Sequence, residues 1–180
     1  MRTLILGGVR SGKSQLAERL AVASGRQVVY VATAVAGDGE MARRIQAHRQ
    51  RHPEDWLVVE EPLALARVLT ESAAPGRCLI VDCLTLWLTN LLSHGDPSRL
   101  EPERDALLAA LPKLAGDLVL VGNETNMGII PLGEISRRYC DEAGRLHQAL
   151  AACCERVVLT VAGLPQTLKG PPLEEITADW

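Results

Sequence analysis

The run Gly7-x-x-x-x-Gly12-Lys13-Ser14 holds the residue types that grip a phosphate chain. Glycines let the backbone curl until successive N–H groups face one concavity, where an anion replaces water. A helix beginning near Lys13 adds the positive end of its dipole. The Lys13 ammonium is placed to reach β- and γ-phosphates and the Ser14 hydroxyl to hold Mg²⁺. The expectation is a nucleoside triphosphate-binding loop. Three other stretches carry chemistry. Asp82 closes an apolar run and is read either as the acid that holds Mg²⁺ or as a helix N-cap. Residues 43–52, Arg-Arg-Ile-Gln-Ala-His-Arg-Gln-Arg-His, concentrate positive charge. On a helix His48 has Arg44 and Ile45 one turn before it and Arg51 and His52 one turn after. Neighbouring guanidinium groups disfavour the imidazolium and keep His48 neutral and nucleophilic, and they also suit substrate phosphates. The alternative is an ordinary solvated basic face. Asn123-Glu124 ends another apolar run and suits either substrate or water near a γ-phosphate, or a turn closed by Gly128.

Elements must bring these residues together. Leu4-Ile5-Leu6 reads as a buried strand leading into the glycine loop, and residues 15–21 take helical spacing. Gly25 is a helix C-cap. The sequence predicts strands over 27–32, 56–59, 78–81, 117–121 and 157–161. It predicts helices over 40–51, 63–70 and 84–92, another reaching residue 115, and a long one over 132–154. Residues 93–103 read as loop and 165–180 as a loosely held tail. Strands alternate with helices and are continuously apolar. That predicts an α/β fold, a phosphate-loop NTPase-like (RecA-like) mainly parallel sheet with helices on both faces. Ligands then sit at the carboxyl ends of the strands, at residues 7–14, Thr33, Glu60, Asp82, Asn123-Glu124 and Gly163.

Composition narrows the classes. The chain has 180 residues, 47% apolar and 23% charged, with a net charge of −3, a globular balance suited to one domain. Two Tyr, three Trp and no Phe argue against base-stacking platforms, and the acidic balance argues against nucleic acid as a partner. Five cysteines, Cys78, Cys83, Cys140, Cys153 and Cys154, form no ligand-spaced cluster and read as reduced thiols. The paired Cys153 and Cys154 read as packing, and His94 and His147 as surface or satisfied histidines. The first strand begins at once, with no signal peptide and no apolar run of membrane-spanning length, so a cytoplasmic protein is expected.

Taken together, these stretches resemble a known family. They are Gly7-Gly8-Val9-Arg10-Ser11-Gly12-Lys13-Ser14, Tyr30-Val31-Ala32-Thr33, Glu40-Met41-x-x-Arg44-Ile45-x-x-His48-Arg49-x-x-x-Pro53, and Trp56 through Glu60-Glu61-Pro62. There follow Asp82-Cys83-Leu84-Thr85-x-Trp87-Leu88-x-Asn90, Asn123-Glu124-x-x-Met127-Gly128-Ile129-x-Pro131 and Arg137-x-x-x-Asp141-x-x-Gly144-Arg145-x-x-Gln148. In order and spacing this resembles the bifunctional adenosylcobinamide kinase/adenosylcobinamide-phosphate guanylyltransferase family of cobalamin biosynthesis. The resemblance covers nearly the whole chain. Residues 163–169 resemble the family's usual end, so the catalytic domain is expected over 1–169 and residues 170–180 are a C-terminal tail.

The resemblance implies two reactions. Adenosylcobinamide is phosphorylated with ATP or GTP. GTP then gives its guanylyl group to a histidine, releasing pyrophosphate, and the group passes to adenosylcobinamide-phosphate. His48 matches the guanylylated histidine, with Lys13 as its catalytic companion at the phosphates. The nucleotide site implied comprises Gly7, Gly8, Val9, Arg10, Ser11, Gly12, Lys13, Ser14, Val31, Ala32, Thr33, Arg49, Gln50, Arg51, His52, Glu60 and Asp82, with Ser14 and Asp82 toward Mg²⁺. Glu60 suits ribose hydroxyls. A homo-oligomer, a trimer in the family, is implied as well. The competing readings are a phosphate-loop kinase for another small molecule and a nucleotide-gated binding protein. A GTPase switch is disfavoured because neither Asn-Lys-x-Asp nor a strand-end Asp-x-x-Gly is present.

Overall fold

The computed structural model describes residues 1–35, 53 and 55–173. The helix expected over 40–51, with His48, Arg49, Gln50, Arg51 and His52, lies outside the described residues, as do residues 174–180. Seven strands form one sheet: β1 (Arg2–Gly7), β2 (Gln27–Ala32), β3 (Leu57–Glu60), β4 (Arg77–Asp82), β5 (Asp117–Asn123), β6 (Arg156–Val161) and β7 (Leu164–Lys169). Their order across the sheet is β3-β2-β4-β5-β1-β6-β7. All pairings are parallel except β6 with β7.

Helices cover both faces, which is why the inner strands are apolar on both sides. On one face α1 (Lys13–Ala23) packs Leu16, Ala17 and Leu20 over Ile5, Val28, Ile80, Val119 and Val158. The other face carries α2 (Leu65–Ser72), α3 (Leu84–Leu92), α4 (Leu100–Ala110) and α5 (Glu134–Cys153). They bury Leu4, Leu6, Val31, Leu79 and Leu120 beneath Leu69, Trp87, Leu107, Leu146 and Leu150. Trp87 is fully enclosed, and its indole N–H donates to the Leu63 carbonyl at 2.8 Å.

Local chemistry shifts several expected boundaries. The helix predicted from 63 begins at Leu65 because the Glu61 carboxylate takes the N–H groups of Leu63 and Ala64 at 2.9 and 2.8 Å. The loop predicted over 93–103 is shorter. Asp96 caps a 3₁₀ turn, Pro97–Arg99, by accepting from Ser98 N–H at 3.0 Å, and α4 starts at Leu100. Pro102 falls in its first turn, where a missing N–H costs no helical bond. The expectation of a loose tail from 165 is overturned. Leu164–Lys169 pairs antiparallel with β6 through the turn Ala162-Gly163, at φ 52° and 85°, the all-positive geometry that joins twisted strands. Pro165 is tolerated because β7 is the sheet's edge. Leu173 beyond it is buried with the α1 face.

Removing the Trp87 side chain leaves a large cavity and takes one of two donors from the Leu63 carbonyl, which keeps the Leu65 N–H. Trp87→Ala is expected to lose about 3–5 kcal/mol of unfolding free energy, read from urea denaturation; a loss below about 1 kcal/mol contradicts this packing.

Candidate functional site

Parallel register sets the carboxyl ends of the inner strands along one edge. Gly7 stands opposite Asn123 on one side and Thr160 on the other. Asp82 stands opposite Val121 and Ala32, and Ala32 opposite Glu60. β5 lies between the strand that leads into the glycine loop and the strand that ends at Asp82. Gly7 and Asp82 are therefore two strand spacings apart, about 10 Å, with Asn123-Glu124 between and above them.

Left-handed backbone at Arg10 (φ 56°) and Gly12 (φ 95°) turns the loop into α1. The Ser11 N–H donates to Gly8 O at 3.2 Å, and Leu16 N–H to Gly12 O at 3.0 Å opens the helix. The β6–β7 hairpin braces the loop. Gly163 N–H donates to Ser11 O at 3.1 Å, the Thr160 and Ser11 hydroxyls meet at 2.9 Å, and the Thr160 hydroxyl donates to Leu6 O at 3.1 Å. A Cβ on Gly7 would lie 2.4 Å from the Thr160 carbonyl oxygen, so only glycine allows this approach. Thr160 is a site-building residue with no local signal in the sequence: it reads as one more β-branched strand position.

Lys13 is buried, and its ammonium donates to Gly8 O at 2.6 Å. Burial lowers its pKa, while the charge of Asp82 works against that shift. Ser14 is half-buried in the same turn, and Gly8, Val9 and Arg10 are exposed. Across the edge the Tyr30 hydroxyl donates to the Asp82 carboxylate; burial first, and then that carboxylate, push the phenol far above its usual range. Trp56 stacks on Tyr30 with ring centroids 6.4 Å apart.

Thr33 is wholly buried and ties β2 to the Asp82 turn. Its N–H donates to Asp82 O, and its hydroxyl donates to Cys83 O at 2.7 Å and accepts Cys83 N–H at 2.9 Å. Asn90 closes the joint by donating to the Thr33 and Pro62 carbonyls at 2.8 and 3.2 Å. Thr33 thus fixes where Asp82 points, and its own side-chain groups are fully engaged. Val31 is in the core, Ala32 is half-buried, and Glu60 is exposed at the end of β3. The structure brings the glycine loop, Lys13, Ser14, Ala32, Thr33, Glu60 and Asp82 to one edge.

At the end of β5 the Glu124 N–H donates to Gly7 O at 2.9 Å and Asn123 N–H to the Thr85 hydroxyl at 2.7 Å. His147, expected to be exposed or satisfied, is neither. It is 9% exposed, and its Nδ1 lies 3.6 Å from Glu124 Oε2 with no hydrogen-bond partner among the described residues. Burial holds its pKa below the usual value, against the pull of Glu124.

Sheet order, loop and acid together define a phosphate-loop NTPase-like protein of the RecA-like kind. Among solved structures the chain is similar to the flagellar accessory protein FlaH from Methanocaldococcus jannaschii, with a TM-score of 0.53 and 13% identity over 94% of this chain and 78% of that one. It is also similar to the RadB recombinase, with a TM-score of 0.50 and 18% identity over 88% and 73% of the two chains. These likenesses are of fold. Residues 3–168 match the family described as cobinamide kinase / cobinamide phosphate guanyltransferase, and the chain belongs to that family of enzymes. It is 66% identical to the bifunctional adenosylcobalamin biosynthesis protein CobP of Pseudomonas aeruginosa, over 96% of this chain and 100% of that relative. It is 38% identical to the bifunctional adenosylcobalamin biosynthesis protein CobU of Escherichia coli, over 94% and 100%. Among the described residues no helix is long and apolar enough to cross a membrane.

The depressed His147 pKa has a consequence for stability. Its folded value lies below the unfolded one, near 6.5, so the unfolded chain binds the extra proton. The stability is complete above about pH 6.5 and is lost as pH falls through the folded value. Between about pH 8 and about pH 5 the Tm of the wild type is expected to fall further than that of His147→Gln; parallel curves contradict a buried neutral imidazole.

Proposed function

We propose that this protein phosphorylates the aminopropanol hydroxyl of adenosylcobinamide with ATP or GTP and then transfers GMP from GTP, through a guanylyl-histidine at His48, to adenosylcobinamide-phosphate. The products of the second reaction are adenosylcobinamide-GDP and pyrophosphate. The observation that carries this reading is the strand edge, where the glycine loop, Lys13, Ser14 and Asp82 meet in a chain that belongs to the family. One catalytic unit over residues 1–169, with 170–180 as a tail, working as a cytoplasmic homo-oligomer, a trimer, completes the proposal.

Each residue has a physical task. The loop N–H groups and the α1 dipole hold the triphosphate, and Lys13 neutralises charge at the phosphates being transferred or released. Ser14 and Asp82 offer one hydroxyl and one carboxylate oxygen, hard donors suited to Mg²⁺, which takes few protein ligands and completes its shell with water and phosphate. When bound, the ion supplies charge neutralisation of the phosphate oxygens. Tyr30 and Thr33 keep the Asp82 carboxylate and its turn in place. For guanylyl transfer, neutral His48 attacks the α-phosphorus in line, the bond to the bridging oxygen breaks, and pyrophosphate leaves from the glycine loop. Arg49, Gln50, Arg51 and His52 flank the nucleotide, Val31, Ala32 and Thr33 form the strand end beneath it, and Glu60 faces the ribose.

The test uses the purified protein, Mg²⁺ and α-labelled GTP without corrinoid. Label that survives denaturation and alkali, is lost in acid, and is absent from His48→Asn is the expected result. A wild type that binds GTP and takes up no label contradicts guanylyl transfer and leaves a small-molecule kinase.

A further inference from the structure

The buried pair at the end of β5 is unused by the reading above and has no structural explanation in the fold. A histidine at 9% exposure whose Nδ1 has no hydrogen-bond partner among the described residues is a cost that folding alone does not reward. The fold also makes room for it: a side chain on Gly122 would meet His147 Nε2 at 3.4 Å and Leu6 Cδ2 at 3.3 Å. The imidazole rests beside one carboxylate, that of Glu124.

Glu124 is held on three sides. Its N–H is fixed to Gly7 O at 2.9 Å, its Oε1 accepts the Asn126 N–H at 2.7 Å, and its Oε2 faces His147 Nδ1 at 3.6 Å. Among the described residues no hydrogen bond to Oε2 is formed, and the side chain as a whole keeps 15% exposure. The other carboxylates of the edge have different work. Asp82 is held by Tyr30, Glu61 caps α2 and pairs with Arg67 at 2.7 Å, and Glu60 lies across the sheet on β3. Immediately after Glu124 begins a cavity of about 260 Å³, lined by Thr125, Asn126, Ile130, Arg137 and Asp141 among others. Asn126 is pinned there by donating to Cys140 O at 2.9 Å.

We propose that Glu124 is the proton acceptor for the substrate hydroxyl in the kinase reaction, and that His147 is a positioning residue that holds its carboxylate at the phosphate-loop edge. This rests on the kinase half of the function proposed above. As the hydroxyl oxygen forms its bond to the γ-phosphorus, the bond from that phosphorus to the β–γ bridging oxygen breaks and the nucleoside diphosphate leaves. The hydroxyl proton passes to the Glu124 carboxylate and from it to solvent, to which that side chain is partly open. The titratable groups that face Glu124 come from α5, namely His147 and Tyr139.

The two reactions of one enzyme make the test selective, because guanylyl transfer to a substrate that already bears a phosphate requires no proton from a hydroxyl. Wild type, Glu124→Gln, Glu124→Asp and His147→Gln are assayed separately for adenosylcobinamide phosphorylation and, with supplied adenosylcobinamide-phosphate, for guanylyl transfer. Glu124→Gln is expected to lower the kinase kcat about 100-fold, with KM for both substrates and the guanylyl-transfer rate within about threefold of wild type. Glu124→Asp should recover part of the rate, and His147→Gln should lower the kinase kcat alone, by about tenfold. An unchanged kinase rate, a parallel loss of both activities, or a rise in corrinoid KM with kcat intact each overturns the assignment. If the wild type makes no phosphorylated corrinoid, the functional reading fails and this proposal falls with it. If wild type makes both products, any failure belongs to the proposal alone.

Discussion

At Gly7 three strands and a loop meet through a glycine that nothing larger can replace. Its carbonyl accepts the Glu124 N–H, and its α-carbon lies so close to Thr160 that an added Cβ would sit 2.4 Å from a backbone oxygen. That approach closes β1 against β6 where the loop departs, so the loop starts from a fixed direction. Its cross-links to the β6–β7 hairpin, through Ser11, Thr160 and Gly163, hold its shape. Anion binding by backbone N–H groups depends on such fixity, because donors that must be reorganised for each ligand lose much of their electrostatic benefit.

The burial that gives rigidity also sets the electrostatics. α1 lays an apolar stripe on the sheet and carries Lys13 inward with its first turn. The ammonium is desolvated there, and the Asp82 carboxylate across the edge offsets part of that cost. Asp82 is oriented in turn by Tyr30, itself sandwiched between the core and Trp56, and by the Thr33 joint. The acid and the lysine come from strands separated by β5, so neither local sequence nor a single turn sets their spacing. The parallel register does.

Much of this was legible in the sequence where local rules agree with tertiary demands. The strand over 27–32 and the helix over 84–92 form over the residues predicted for them, because a continuous apolar run and a mostly buried helix have few competing arrangements. The glycine loop was legible because its residue types serve one geometry. β7 was not: Leu164–Lys169 alternates between exposed and half-buried positions, contains Pro165, and is joined by Ala162-Gly163 rather than an asparagine–glycine turn, so no local pattern marks it as a strand. The tasks of Thr33, Thr160 and His147 were hidden for the same reason. Each works through a partner far along the chain, Cys83, Ser11 and Glu124 respectively, and separation in sequence carries no trace of contact in space. The arginine–histidine stretch around His48 lies outside the described residues, so its part rests on residue types and family membership.

If one strand edge serves two successive reactions on one substrate, ³¹P NMR of the purified protein with adenosylcobinamide, GTP and Mg²⁺ will follow both in time. A corrinoid phosphomonoester signal is expected first, then its decay as a corrinoid-linked diphosphate and free pyrophosphate grow together in equal amounts. A phosphomonoester that accumulates without pyrophosphate, or GTP that breaks down only to GDP and phosphate, would contradict it.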